Sequence, residues 1–186
     1  RLEDPRPNIL LIVADDLAYA DLGSYGGDIF TPHLDSLAKA GLSFSRFHTA
    51  PMCAPTRAML LSGNDNHIAG MGKQAFQSPD FGYEGRLTDR IVPVPVVLQD
   101  AGYFTCMAGK WHLGLEAESN PANKGFMQSF ALLMGAGNHY TDQGLFKEMP
   151  VSPYTENGKE ARWKNGAYST DYYTDKLIAF LDQKKE

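Results

Sequence analysis

The stretch Asn8-Ile9-Leu10-Leu11-Ile12-Val13-Ala14-Asp15-Asp16 places a short apolar run directly before two adjacent carboxylates. Prolines stand at positions 5 and 7, just ahead of the run. A continuous apolar run of this length is typical of a strand buried on both faces, as the strands of a parallel sheet are. The stretch therefore predicts an α/β protein in which 8–13 form a buried strand.

Helices and further strands follow in α/β order. Thr31-Pro32 supplies an N-cap and a first-turn proline for a helix that ends at Gly41. Pro55 in the same way begins a helix that ends at Gly63, which leaves Cys53 just before the helix N-terminus. The other predicted elements are strands over 42–49 and 103–108, a helix over 94–101, and a helix from about Thr170.

Three of these helices carry apolar residues at helical spacing, which predicts buried stripes. The stripes consist of Leu34, Leu37 and Ala38 in the first helix, Ala58 and Leu61 in the second, and Thr174, Leu177, Ile178 and Leu181 in the last. Periodicity disappears over 64–90 and 135–166, where we expect long loops at the rim of a site.

Composition and charge exclude several classes of protein. The 17 basic and 22 acidic residues give a net charge of −5 and are scattered along the chain, which argues against a nucleic-acid or anionic-membrane binder. The longest apolar run, 9–14, is far shorter than the roughly 20 residues of a membrane span. Cys53 and Cys106 are too few for a disulfide framework, and we expect them to stay unpaired, with Cys106 in the core.

Asp15 and Asp16 form the first of three polar clusters at predicted strand ends or helix starts, where ligands gather in open α/β sheets. Adjacent carboxylates that converge once the chain turns are oxygen ligands suited to a hard cation such as calcium or magnesium. The alternative is a solvated acidic pair that caps a turn. The pair alone does not distinguish the two interpretations.

The second cluster is Cys53-Ala54-Pro55-Thr56-Arg57. Free N–H groups and the positive end of the helix dipole would face the Cys53 side, where an anion would be held. Arg57 lies in the first turn and can reach back toward Cys53 to fork onto an oxyanion. Two alternatives remain open: an ordinary cysteine nucleophile activated by the same charges, and a small buried cysteine beside a helix cap.

The third cluster is Lys110-Trp111-His112, at the end of the predicted strand 103–108. In an extended chain, the period of two places Lys110 and His112 on one side and turns Trp111 into the packing. Lysine would supply a positive charge for an anionic substrate, and histidine can move a proton near neutral pH. The alternative is a surface lysine beside a structural histidine.

Taken together, these residues resemble the sulfatases of the alkaline-phosphatase superfamily, and bacterial arylsulfatases most of all. Cys53-x-Pro55-x-Arg57 matches the signature in which the cysteine is converted to formylglycine after translation. The resemblance implies an alkaline-phosphatase-like sandwich with a central, mostly parallel mixed sheet flanked by helices, of which 1–186 would be the N-terminal part. The other matching landmarks, in the family's order, are Pro7–Asp16, Thr31–Asp35, Leu60–Gly63 and Gly109–Gly114.

The resemblance also implies a role for each site residue. Asp15, Asp16 and the modified Cys53 would contact a divalent cation, calcium or else magnesium. Arg57 would hold the formylglycine. Two residues would act on the substrate side, Lys110 by contacting the sulfate and His112 by hydrogen-bonding the formylglycine hydroxyl. The family's remaining histidine, lysine and Asp-Asn metal pair are expected beyond Glu186, and none of them is assigned to a residue of this sequence.

The implied reaction is hydrolysis of an aryl or small alkyl sulfate ester, after maturation by a formylglycine-generating enzyme. One hydroxyl of the hydrated aldehyde attacks sulfur, and the bond from sulfur to the ester oxygen breaks so that the alcohol leaves. Loss of the proton from the second hydroxyl then re-forms the aldehyde and expels sulfate. A plain cysteine or serine has no second hydroxyl for this release. The chain alone is expected to be inactive.

Other interpretations stay open beside this one. A phosphonate monoester or phosphodiester hydrolase of the same superfamily would use a similar site, and a non-catalytic binding module would keep only part of it. His139 is a candidate for the substrate pocket, although a loop histidine with a structural hydrogen bond is the alternative. The resemblance favours a periplasmic or secreted protein over a cytoplasmic one, and the sequence does not indicate an oligomeric state.

Overall fold

The computed structural model describes residues 6–74, 77–162 and 166–184. The chain divides into two units, Arg1–His48 and Thr49–Glu186. The described part of the first unit contains the α-helix α1 (Pro32–Ala40) and a short 3-10 helix, Gly23–Tyr25. The helices of the second unit are α2 (Cys53–Ser62), α3 (Val94–Asp100) and α4 (Ser169–Gln183), and its strands are β1 (Cys106–Lys110), β2 (Gln128–Leu132), β3 (Gln143–Phe146), β4 (Met149–Val151), β5 (Tyr154–Glu156) and β6 (Lys159–Ala161).

The second unit is built on a mixed four-stranded sheet in the order β1-β2-β5-β6. β1 and β2 are parallel, with Lys110 opposite Leu132 at their carboxyl ends. β5 and β6 are added antiparallel to β2 and to each other, and β3 pairs with β4 in a separate hairpin. Parallel pairing of β1 and β2 means that both strands end at the same edge of the sheet.

Helices cover both faces of this sheet. Along β2, Ala131 faces a core that includes the α2 residues Ala54 and Ala58, whereas Phe130 faces a core that includes Phe180 of α4. Alternation of side chains along the strand produces the two cores. The result is the predicted α/β class, a mixed sheet flanked by helices.

The helix boundaries were largely predictable from capping residues. α1 begins after Thr31 and ends at Gly41, and α2 ends at Gly63, whose φ of 65° is the left-handed conformation that glycine adopts at low cost. The prediction that α2 begins at Pro55 was wrong, because Thr56 N–H already bonds to the Met52 carbonyl and makes Cys53 the first helical residue. Pro55 fits the third position because an amide hydrogen there has no intrahelical partner.

The two strands predicted in the first unit, 8–13 and 42–49, are not formed. The side chains of Ile9 to Val13 are between 43% and 69% exposed, and Leu42 is 87% exposed. A strand needs a hydrogen-bonded neighbour, and among the described residues of this unit the one ladder contact is an isolated bridge between Leu22 and Ile29. The apolar stripe of α1 is likewise not buried, since Leu34 and Leu37 are both exposed.

The two loops predicted in the second unit have different outcomes. The described residues of 64–90 contain neither helix nor strand, as expected, with 75–76 outside the described part. The prediction of a loop over 135–166 was wrong, because this range holds β3, β4, β5 and β6; residues 163–165 lie outside the described part. Asn157 and Gly158, with φ of 52° and 80°, form the tight turn between β5 and β6.

The helix predicted over 94–101 is present as α3, and the strand predicted over 103–108 is present three residues later as β1. α4 begins one residue before the predicted Thr170, but its packed face differs from the predicted stripe. Ile178 and Leu181 are about half exposed, whereas Phe180 is 2% exposed. The ring of Tyr172 packs edge-on against Phe130 of β2 at 5.2 Å, so the aromatic face of the helix is the one that the sheet buries.

Two further features of the described residues concern membrane spans and the cysteines. No helix in 6–74, 77–162 or 166–184 is long and apolar enough to cross a membrane. Cys53 and Cys106 are both free thiols. Cys106 borders the core on the α4 side of the sheet, where burial raises the pKa of its thiol.

Candidate active site

Cys53 lies between two side chains that come from distant parts of the second unit. Its Sγ is 3.3 Å from Nδ1 of His112, which is 59 residues away in sequence. Its thiol also donates to the side-chain oxygen of Gln74 at 3.2 Å. The structure therefore brings together Cys53 and His112, which the sequence predicted as partners, and adds Gln74, which the sequence analysis missed.

Cys53 owes its position to the packing of the first turns of α2. Ala54 and Ala58 are fully buried in the core beneath the sheet, so small side chains allow this helix to approach closely. The hydroxyl of Thr56 donates to the carbonyls of Ala50 and Met52 and fastens the segment that leads into the helix. Cys53 is consequently held at a fixed, partly exposed helix N-terminus.

Arg57 fastens the start of α2 to the end of β1. Its Nε–H donates to the carbonyl oxygen of Trp111 at 2.8 Å, and one terminal nitrogen donates to the carbonyl oxygen of Lys110. At least two of the guanidinium N–H groups are thus engaged by backbone. A contact between Arg57 and an oxyanion stays a prediction, as do the other assigned roles of the site residues.

Trp111 is turned into the core, as the alternation along β1 predicted. Its side chain is fully buried, its Nε1–H donates to the carbonyl of Ser119 at 2.8 Å, and its ring packs edge-on against Phe126. The backbone N–H groups of Trp111 and His112 continue the ladder by bonding to the carbonyls of Leu132, the last residue of β2, and Leu133, which follows it. The end of β1 is therefore firmly held by both side-chain and backbone contacts.

The alternation does not extend to His112. β1 ends at Lys110, and His112 has a φ of 59°, a left-handed conformation that is unfavourable for a residue with a Cβ. This turn of the chain directs the imidazole to Cys53. Regular alternation from Lys110 would not predict that direction. Gly135 lies against the ring, since a Cβ added there would be 2.6 Å from Nε2 of His112. A side chain at position 135 would displace the imidazole.

Asp15 and Asp16 lie in the first unit, and both are exposed. Asp16 has a φ of 53°, so the chain turns at the pair as the sequence analysis expected for converging carboxylates. Carboxylate oxygens suit calcium or magnesium by their chemistry. Among the described residues, no group of three or more His, Cys, Asp or Glu side chains could hold a metal ion, and the role of the pair as metal ligands stays a prediction.

His139 makes a structural hydrogen bond in the loop before β3. Its Nδ1 is 2.6 Å from Oγ of Ser169, the first residue of α4, and its carbonyl accepts from the Ser169 N–H at 2.9 Å. Its ring also packs against Tyr168 at 5.6 Å. These contacts fasten the loop to the start of α4, and a contact with substrate stays a prediction.

Comparison with known proteins assigns the family. A family model described as Sulfatase matches residues 7–186. The chain therefore belongs to the sulfatase family, and the resemblance drawn from Cys53-x-Pro55-x-Arg57 and its companion motifs is confirmed.

Individual relatives agree with this assignment. The chain is 45% identical to an uncharacterized sulfatase of Schizosaccharomyces pombe, over 99% of this chain and 36% of that protein. It is 38% identical to an arylsulfatase of Klebsiella aerogenes, over 96% of this chain and 40% of that protein. The chain thus spans well under half the length of these curated relatives.

A solved structure shows the same architecture. Ps i-CgsB superposes with a TM-score of 0.80 at 35% identity, over 96% of this chain and 42% of that one. A second structure holds Ps i-CgsB in complex with k-i-k-neocarrahexaose. The expected fold, an alkaline-phosphatase-like sandwich of which this chain is a part, is confirmed.

Proposed function

We propose that the protein hydrolyses sulfate esters, with aryl or small alkyl sulfates as substrates and position 53 as the source of the nucleophile. The observation that carries this proposal is the 3.3 Å approach of Cys53 Sγ to His112 Nδ1 at the N-terminus of α2, in a chain of the sulfatase family. An imidazole at this distance can accept a proton from the group at position 53.

The surroundings of Cys53 fit a formylglycine in its place. Such a residue supplies a hydrated aldehyde with two hydroxyls on one carbon, a nucleophile that can also release its product. Gln74 places an acceptor oxygen, and His112 a ring nitrogen, within hydrogen-bond distance of the Sγ atom, so both hydroxyls would find partners in the chain itself. A formylglycine-generating enzyme would then be the maturation partner of this protein.

Arg57 and Lys110 supply the positive charge that an anionic sulfate requires. Because Arg57 donates to the carbonyls of Lys110 and Trp111, it fixes the peptide from which the Lys110 side chain projects. In the proposed site, the Lys110 ammonium contacts sulfate oxygens and stabilises the charge that grows on them during displacement. His112 holds the proton that must move at position 53.

Asp15 and Asp16 would contribute carboxylate oxygens to a calcium ion, or to magnesium. Such a cation would supply positive charge, which an anionic sulfate requires. Chelation of the full-length protein should abolish activity, and calcium should restore it more effectively than magnesium if calcium is the physiological ion. Activity that survives exhaustive chelation would exclude the metal from the proposal.

The experiment that tests the proposal is mass analysis of the tryptic peptide that contains Cys53. Conversion to formylglycine lowers its mass by about 18 Da. An unmodified thiol in active protein from a host that carries the maturation enzyme would contradict the formylglycine proposal.

The substrate class needs a separate assay on the full-length protein. para-Nitrophenyl sulfate, a phenyl phosphonate ester and k-i-k-neocarrahexaose would be compared by kcat/KM. We expect the aryl sulfate to be turned over. Preferred turnover of the phosphonate would overturn sulfate specificity, and preference for the hexaose would replace the small substrates by a saccharide.

A further inference from the structure

We propose that Gln74 is a positioning residue of the active site, which orients the group at position 53 opposite His112. The inference rests on the proposed function, because it assigns a role to a partner of the proposed nucleophile. The side-chain oxygen of Gln74 accepts the hydrogen bond from the Cys53 thiol at 3.2 Å. Gln74 comes from the irregular loop over 64–90, whereas the other site residues of this unit come from α2 and the end of β1.

Gln74 lies two residues after a tightly packed part of the loop, which we call the loop base and which contains His67, Gly72, Gly82 and Tyr83. The N–H of Gly72 donates to the carbonyl of Gly82 at 2.6 Å and closes the loop. A Cβ added to Gly72 would be 2.7 Å from Cδ2 of His67 and 2.8 Å from Cε1 of Tyr83. The two sides of the loop therefore meet at Gly72 without room for a side chain, so the backbone is closely packed two residues before Gln74.

A short chain of polar side chains fixes that base in turn. Nδ1 of His67 is 3.1 Å from a carboxylate oxygen of Asp65, and Nε2 of the same ring is 3.2 Å from the hydroxyl of Tyr83. The backbone N–H of His67 bonds to the same Asp65 oxygen at 2.9 Å. The imidazole thus bridges the two sides of the loop base and keeps Tyr83 against Gly72.

Gln74 and His112 differ in what they can do with a proton. An imidazole nitrogen can accept a proton near neutral pH, but an amide oxygen only accepts a hydrogen bond. A hydroxyl held by Gln74 therefore stays protonated until it reacts, while a hydroxyl facing His112 can lose its proton. Two such unlike partners on either side of position 53 distinguish the two hydroxyls of a formylglycine hydrate.

The hydrogen bond itself can be measured in protein made without the maturation enzyme, which retains Cys53 as a thiol. The S–H stretching band of Cys53 is isolated in the Raman difference against Cys53→Ala. Gln74→Ala should shift this band to higher wavenumber, since the thiol loses its acceptor. Gln77→Ala is the matched control, because Gln77 lies in the same loop and donates to Glu116 instead. An unshifted band in Gln74→Ala would overturn the proposal.

Kinetics of the matured full-length protein give a second readout. Gln74→Ala should lower kcat by about 10- to 100-fold, with KM within about twofold, because orientation rather than binding is lost. Gln74→Glu keeps an acceptor but adds a negative charge, so it should recover part of kcat while raising KM for an anionic sulfate. Gln77→Ala should behave like the wild type.

The two proposals fail separately in these experiments. A wild-type protein that lacks formylglycine and does not hydrolyse sulfate esters defeats the proposed function. A wild type that is active while Gln74→Ala keeps its kcat overturns only the role of Gln74. A loss of kcat in Gln77→Ala equal to that in Gln74→Ala would also overturn it, since the effect would then belong to the loop as a whole.

Discussion

The Nε–H group of Arg57 donates to the carbonyl oxygen of Trp111 at 2.8 Å. This bond joins the first turns of α2, which carry Cys53, to the end of β1, which carries His112. The guanidinium therefore acts as a clamp between the two segments whose side chains meet at 3.3 Å. An arginine at this position has a structural task in addition to the charge that a sulfatase site needs.

Arg57→Lys tests the clamp. Lysine keeps the charge but cannot donate in the fork geometry to two carbonyls. Losing one charged hydrogen bond should lower the free energy of unfolding by about 2 kcal/mol, and kcat/KM should fall as Cys53 and His112 separate. Thermal denaturation and steady-state kinetics would measure both. The control is Arg86→Lys, because Arg86 forms only an exposed pair with Glu118 at 3.8 Å; this variant should change neither stability nor kcat/KM. An Arg57→Lys protein as stable as the wild type would refute the clamp.

Gly135→Ala tests the placement of the His112 ring. The added Cβ would be 2.6 Å from Nε2, so the imidazole must leave its position beside Cys53. We expect kcat to fall about 10- to 100-fold, with destabilisation of about 1 to 3 kcal/mol from overpacking.

The matched control for that prediction is Gly137→Ala. Its Cβ would meet Cδ2 of Leu132 at 3.0 Å. This atom is the flexible end of a side chain in the core on the α4 face of the sheet. This variant should alter stability more than kcat. Equal kcat values for the two variants would mean that the ring position does not depend on residue 135.

The parts of this molecule that were predictable are those determined by local chemistry. The first-turn proline Pro32, Gly41 at the end of α1 and the left-handed stop at Gly63 act within one helical turn, so short sequence patterns specified these boundaries. The predicted cap by the Thr31 side chain is not formed, because its hydroxyl donates to Asp35 instead. The pairing of Cys53 with His112 came from a motif. Its geometry depended on the positive φ of His112, which no pattern around Lys110 and Trp111 revealed.

The parts that were not predictable depend on tertiary contacts. α4 carries apolar residues on two faces, and the aromatic rings that fit Phe130 determined which face is buried. Gln74 lies in a loop without periodicity, where its role follows only from its distance to Cys53. The turn between β5 and β6 did have a local signal, Asn157-Gly158, which is typical of a two-residue hairpin and was missed.

Acid should destabilise the loop over 64–90 through Glu84. Its hydrogen bond with Arg90, at 2.6 Å, holds the pKa of the Glu84 carboxyl below its ordinary value of 4.5. A depressed carboxyl pKa contributes stability that is complete above the unfolded-state value and is lost as the pH falls through the native one. The wild type should therefore keep its advantage in Tm over Glu84→Gln down to about pH 4.5 and lose it as the pH falls further, through the depressed native pKa. A Tm difference that is independent of pH would contradict this account.

Burial should also protect Cys106 from alkylation. The thiolate is the reactive form of cysteine, and burial raises the pKa of the Cys106 thiol from its ordinary value of 9.0, so less thiolate is present at any given pH. In a Cys53→Ala background, iodoacetamide at mildly alkaline pH should label the native protein at least tenfold more slowly than the denatured protein, as followed by intact mass. The raised pKa favours the neutral thiol in the folded state. The contribution of Cys106 to the stability of the folded protein is therefore present below the unfolded-state pKa. That contribution is lost as the pH rises through the native pKa, and protection should weaken over the same alkaline range. Equal labelling rates in native and denatured protein would show that Cys106 is accessible at the edge of the α4-facing core.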